Sequence, residues 1–205
     1  MLKIGITGGI GSGKSTVSIL FKQLGIPIFC SDIEAKILMT NDENLLLQIK
    51  NNFGEDIIDP NGKINTKKLG QKVFYHSDLL HKLNSIIHPA VRTYFKQWVR
   101  KQSFSPYIIN ESALIFEHDL YKELDAVIVV LAPEDVRIKR VMKRDRLSEN
   151  DILQRIKNQI TDQERKQKGN YFIINDDINP VIPQVLKINA QLIEVAKQKK
   201  PKMRF

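Results

Sequence analysis

LKIGITGGIGSGKSTVSIL, residues 2–20, decides how the rest of the chain is read. A short apolar run enters a segment with five glycines between Gly5 and Gly13. Glycine loses more conformational freedom on folding than any other residue, so this density implies that something approaches the backbone closely. Gly8–Ser15, GGIGSGKS, satisfies G-x-x-x-x-G-K-[ST] with a strand pattern before it and the helical pattern KSTVSILFKQL after it. That context marks a phosphate-binding loop rather than a glycine-rich turn without a ligand. The glycines let successive N–H groups turn inward around phosphate oxygens, and the helix beginning near Lys14 points its positive end at the same anion. Lys14 is expected to reach the β and γ phosphates, and the Ser15 hydroxyl to ligate Mg²⁺.

Outward from the loop, apolar β-rich runs recur at 26–29 (IPIF), 107–110 (YIIN), 125–131 (DAVIVVL) and 171–175 (YFIIN). Each is short and nearly continuous, as in strands covered on both faces. Helical patterns separate them: 77–102, with IIHPAV inside it, 133–145, a single stretch over 148–167, and 179–199. Strand alternating with helix predicts an α/β fold, a parallel sheet with helices on both faces. The gap between the second and third strands is too long for a simple crossover and predicts an inserted helical region at about 31–105, lying over one edge of the site. Within it, DPNG at 59–62 is a turn signal, and Asn65 or Thr66 suits the start of a helix. The tail KQKKPKMRF reads as a disordered end or a solvated helix terminus.

A net charge of +9 admits nucleic acid, a membrane surface or a phosphate-rich small substrate as partner. Cys30 is the only cysteine, which excludes an internal disulfide and a multi-cysteine metal site. No segment is apolar and long enough to span a bilayer, and LKIGIT has the wrong length and polarity for a secretory signal. The expectation is a cytoplasmic protein. A GTPase would show N-K-x-D, which does not occur, and DPNG follows no strand, so it fits D-x-x-G only as letters.

Acidic residues fall where ligands of open α/β sheets bind, just beyond the carboxyl ends of strands. Asp32, after the second strand, is a candidate base for a substrate hydroxyl, or else the N-cap of the next helix. Glu111, after the third, could hold Mg²⁺ through water or bind substrate, or stand as a solvated acid; Glu117 is a second candidate. His88 precedes Pro89 and is biased away from helix, predicting a break that either turns its imidazole toward a ligand or is a plain kink. His76, His81 and His118 show no metal-ligand spacing. In VRIKRVMKRDRLSENDILQRIKNQ, Arg140 and Arg144 share a helix face, Lys139, Lys143 and Arg146 enlarge the positive field, and Arg155 and Gln159 repeat the spacing. Such a segment works as a lid over a transferring phosphoryl group or as a solvated or nucleic-acid-binding face. Aromatic residues for base stacking are not interleaved with it.

In order, GITGGIGSGKST, SDIEAK, LNSIIHPAV, ESALIFE, RVMKRD, RIKNQ and YFIIND resemble the dephospho-coenzyme A kinase family over nearly the whole chain. The resemblance implies a P-loop kinase of the nucleoside monophosphate kinase type: a three-layer fold with five parallel strands, an inserted helical CoA-binding region and a lid at about 137–160, within one domain. It implies ATP-dependent phosphorylation of the ribose 3′-hydroxyl of dephospho-CoA, with Mg²⁺. It gives Asp32 the role of base, and an ATP phosphate loop of Gly8, Gly9, Gly11, Ser12, Gly13, Lys14, Ser15 and Thr16. Arg140 matches a lid arginine and Arg144 stands in the RD pair after it. His88 and Pro89 match an element near the acceptor, Glu111 and Glu117 the substrate-side acids, and Asn175 an element near the adenine. Two departures stand out: Glu111-Ser-Ala-Leu-Ile-Phe-Glu117 replaces D-V-P-L-L-F-E, and Asn175-Asp176-Asp177 replaces N-D-G. The rivals are a kinase for another small acceptor, such as a nucleoside monophosphate, and a nucleotide-dependent nucleic-acid-binding switch; no nucleic-acid or membrane partner is expected.

Overall fold

The apolar runs assemble into one five-stranded parallel sheet in the computed structural model, which describes residues 1–74, 76–102 and 104–199. The strands are β1 (Leu2–Thr7), β2 (Ile28–Cys30), β3 (Tyr107–Glu111), β4 (Ala126–Leu131) and β5 (Tyr171–Ile174), in the order β2-β3-β1-β4-β5. The phosphate loop therefore leaves the central strand. Ile6 and Cys30 both pair with Glu111, so the carboxyl ends of β1, β2 and β3 lie level.

Alternation along β4 divides the core of this unit into two layers. Ile128 and Val130 join Ile4 and Ile6 beneath α1 (Lys14–Gln23) and α9 (Val181–Lys199), which contribute Val17, Phe21, Ile188 and Leu192. Val127, Val129 and Leu131 face the other way, onto Ile115 and Phe116. Gly5 sits in a strand because a Cβ there would come within 2.8 Å of both Ile115 and Leu124. The remaining helices of the unit are α6 (Glu134–Asp145), α7 (Glu149–Lys157) and α8 (Asp162–Lys168).

The chain divides into two compact units, Met1–Cys30 together with the chain from Gln102 onward, and Ser31–Lys101. The second is helical: α2 (Ser31–Asn41), α3 (Glu43–Phe53), α4 (Thr66–Phe74) and α5 (Ser77–Arg100) close around Leu45, Ile49, Phe53, Leu69, Leu83 and Ile87. Asp42 caps α3 by accepting the Leu45 N–H, and Asn65 caps α4 by accepting the Lys68 N–H, each at 3.0 Å. DPNG is a turn: the Asp59 carboxylate accepts the N–H groups of Asn61 and Lys63, and Ile58 pairs antiparallel with Ile64.

Two sequence expectations are corrected. The helix break at His88 does not occur, since α5 runs through Pro89 without interruption. The proline removes one hydrogen bond from a 24-residue helix, and the buried face carrying Leu83, Ile87 and Phe95 holds both halves in line. The single helical stretch over 148–167 is two helices. Thr161 restarts the chain with a capping box, its hydroxyl accepting the Glu164 N–H while the Glu164 carboxylate accepts the Thr161 N–H. Of the basic tail, Lys197–Lys199 belong to α9, and residues 200–205 lie outside those described.

Candidate active site

Gly11 and Gly13 have φ of 79° and 92°, the left-handed region in which side chains are disfavoured. Space demands glycine as well. A Cβ on Gly11 would lie 2.5 Å from the Arg137 carbonyl oxygen, and one on Gly13 would lie 2.1 Å from the Asn175 amide nitrogen. The loop is thus wedged against α6 and the end of β5. Its open side is the start of α1, where among the described residues no side chain caps the helix and no acid stands in the first turn. The positive end of the helix is thus open to an anion. The Lys14 ammonium donates to the Gly8 carbonyl at 3.0 Å, folding the side chain back along the loop. The Ile10 N–H donates to the Gln159 side chain at 2.9 Å, tying the loop to the segment between α7 and α8.

Beside the loop, the Ser15 hydroxyl donates to one oxygen of Glu111 at 2.7 Å, and the Cys30 thiol donates to the other at 3.3 Å. Glu111 is buried at the end of β3. A hydroxyl and a carboxylate in contact are the hard oxygen donors that Mg²⁺ takes from protein, its other positions going to water and phosphate oxygens. The residues present therefore fit the ion. No cluster of three or more His, Cys, Asp or Glu suited to a metal occurs among the described residues, and Mg²⁺ bound in this way needs none.

Of the two arginines on the α6 face, only Arg140 turns to the loop. Its guanidinium donates to the carboxylate of Asp177, to Asn175 Oδ1 at 3.3 Å and to the Gly11 carbonyl at 3.5 Å. Asn175 Nδ2 donates in turn to the Ser12 carbonyl at 2.8 Å. Arg144 is exposed and grips its neighbour Asp145 through two hydrogen bonds of 2.7 and 2.9 Å, which hold that carboxyl below its usual range. Thr16 lies exposed in the first turn of α1.

The sequence reading missed two buried arginines. Arg137 and Arg165 are 5% and 1% exposed, and a Cβ on Gly9 would lie 1.8 Å from Arg137 Nη1 and 3.5 Å from Arg165 Nη1. Asp162 serves both, at 2.7 Å from Arg165 and 3.9 Å from Arg137. Glu117 belongs to this group: it accepts the Ile160 N–H at 3.2 Å and stands 3.6 Å from Arg165. Its carboxylate joins the segment after β3 to the chain entering α8. The signal available for Arg137 was its spacing from Val141, four residues on along the buried face of α6.

Asp32, His88 and Pro89 lie in the helical unit. Asp32 is in the first turn of α2, which continues directly from β2, and is exposed. His88 and Pro89 lie midway along α5.

The chain matches the dephospho-CoA kinase family over residues 2–180. A dephospho-CoA kinase of Bacteroides fragilis is 38% identical over 193 residues, covering 94% of each chain. Among solved structures, the dephospho-CoA kinase from Campylobacter jejuni superposes with a TM-score of 0.69 at 25% identity, covering 94% of this chain and 98% of that one. A Thermus thermophilus protein superposes with a TM-score of 0.81 at 29% identity, covering 95% and 97%. Sequence and fold agree over nearly the full length of each relative, and the chain belongs to the dephospho-CoA kinase family, phosphotransferases that act on a hydroxyl group.

Proposed function

We propose that the chain transfers the γ-phosphoryl group of ATP to the ribose 3′-hydroxyl of dephospho-CoA, giving CoA and ADP, the final step of coenzyme A biosynthesis, in the cytoplasm. The observation that carries this reading is the contact of Ser15 with Glu111 beside a phosphate loop whose helix start is uncapped. The N–H groups of Gly8 to Thr16 cradle the ATP phosphates, and Lys14 leaves the Gly8 carbonyl for the β and γ oxygens. Ser15, with Glu111 directly or through water, would hold Mg²⁺, which would supply charge neutralisation for the transferring phosphoryl group. Arg140 faces the phosphoryl charge, Arg144 reaches ATP by leaving its partner Asp145, and Asn175 borders the adenine.

Asp32 accepts the proton of the 3′-hydroxyl as its oxygen bonds to the γ phosphorus and the bond to the β,γ-bridging oxygen breaks. The inserted helical unit supplies the CoA-binding region, with His88 and Pro89 beside the acceptor. Residues 137–160 form the lid, and Glu117, fastened to Ile160, supports the substrate side of the site through it. Phosphoryl transfer leaves little covalent chemistry to protein groups, so positioning and charge carry the catalysis. The +9 charge suits two substrates with clustered phosphates.

The test is Asp32→Asn: ATP binding persists while transfer to dephospho-CoA falls roughly 10²- to 10⁴-fold. Near-normal transfer would remove Asp32 from the role of base.

A further inference from the structure

The segment after β5 is more rigid than its exposure suggests. The Asn175 N–H donates to the Leu131 carbonyl at 2.8 Å, extending the β4–β5 ladder by one residue. The Asp176 carboxylate then folds the chain by accepting the N–H groups of Ile178 and Asn179 at 3.0 and 2.8 Å, and the Asn179 side-chain amide at 2.8 Å. Between these two fastenings sits Asp177, with φ of 67°. Aspartate is one of the few residues besides glycine that takes this conformation at small cost. The conformation aims its carboxylate at Arg140.

We propose that Asp177 is a positioning residue for phosphoryl transfer, holding the Arg140 guanidinium at the phosphate loop before nucleotide arrives. This rests on the reading of Arg140 as the arginine that meets the phosphoryl charge. A free arginine side chain samples many rotamers, and ordering it at the moment of binding opposes catalysis. Here three acceptors on two segments fix it in advance: the Gly11 carbonyl, Asn175 Oδ1 and the Asp177 carboxylate. The first two are neutral and their contacts are long, so the charged contact to Asp177 is the strongest of the set. Asp177 is 70% exposed, whereas the Arg140 side chain is 26% exposed. The pair therefore lies at the rim, where its carboxylate can release the guanidinium to a more highly charged phosphate.

The experiment is steady-state kinetics with ATP and dephospho-CoA on the full chain, comparing wild type, Asp177→Asn, Asp177→Gly, Arg140→Gln and the double variant Arg140→Gln/Asp177→Gly. Asn and Gly both tolerate the backbone conformation, so neither introduces strain. Arg140→Gln is expected to lower kcat. Asp177→Gly should lower the same parameter by about 2- to 5-fold, the scale of an exposed ion pair, with Asp177→Asn in between because its carbonyl oxygen still accepts. In the Arg140→Gln background Asp177→Gly should be silent, and the melting temperature without nucleotide should stay at the wild-type value.

A loss from Asp177→Gly that persists undiminished on Arg140→Gln would overturn the proposal. So would unchanged kinetics, or a rise in kcat showing that Asp177 parks the arginine away from its work. Wild-type turnover by Arg140→Gln is a different failure: it would refute the assignment of Arg140 itself, and with it the role of Asp177.

Discussion

Gly13→Ala separates two reasons for a glycine, and Gly25→Ala supplies the control. Gly13 has φ of 92° and Gly25 φ of 82°, so alanine at either takes a left-handed conformation that costs about 1–2 kcal/mol. Alanine also restricts the unfolded chain, which offsets about 0.4–1 kcal/mol of that. Nothing lies within 4 Å of a Cβ on Gly25, so Gly25→Ala should destabilise by about 1 kcal/mol or less. On Gly13 the Cβ would meet the Asn175 amide at 2.1 Å and displace it from the Ser12 carbonyl. Loss of that hydrogen bond adds about 1 kcal/mol, giving about 2 kcal/mol in all. For a 205-residue chain this corresponds to a fall of about 4–8 °C in melting temperature, against about 2–4 °C or less for the control. Calorimetry of both variants without nucleotide reads the difference directly. Equal melting temperatures would mean that Asn175 does not brace the loop, and the account of why Gly13 must be glycine would be wrong.

Glu111→Gln keeps the shape of the side chain but removes its charge, and should raise the Mg²⁺ concentration for half-maximal activity by roughly 10-fold or more. An unchanged Mg²⁺ titration would leave Glu111 without a metal role. Thr161→Ala removes the hydroxyl half of the capping box that starts α8 and should cost about 1 kcal/mol in urea unfolding. Wild-type stability would show that the box does not fix the break between α7 and α8.

The sheet was legible because its strands are near-continuous apolar runs, though edge strand β5 leaves Phe172 and Ile174 exposed; β3, β4 and β5 moved by one residue at one end, and β2 shifted further, from 26–29 to Ile28–Cys30. Pro27 has no N–H to give a ladder, though its carbonyl accepts from Ile109 at 2.9 Å. The phosphate loop was legible because its spacing encodes a backbone shape. What local pattern could not show was tertiary compensation. Proline argued for a break at His88, yet the buried face of α5 outweighed one missing hydrogen bond. The Thr161-x-x-Glu164 box was readable in the sequence but lay hidden inside a helical periodicity. Arg137 and Arg165 were lost among surface charges, because each has an acid three residues away, Glu134 and Asp162, as exposed helical arginines do, and only the longer contacts of Glu117 with Arg165 and Asp162 with Arg137 come from elsewhere in the fold. The contact of Glu111 with Ser15 joins residues 96 apart and follows only from the pairing of β1 with β3.

The most direct test is to incubate the protein with Mg-ATP and dephospho-CoA, beside AMP, CMP and shikimate as acceptors, and to identify the phosphorylated product. Selective phosphorylation of dephospho-CoA at its ribose 3′-hydroxyl is the predicted result. Folded, ATP-binding protein that leaves dephospho-CoA untouched, or prefers another of the acceptors, would contradict it.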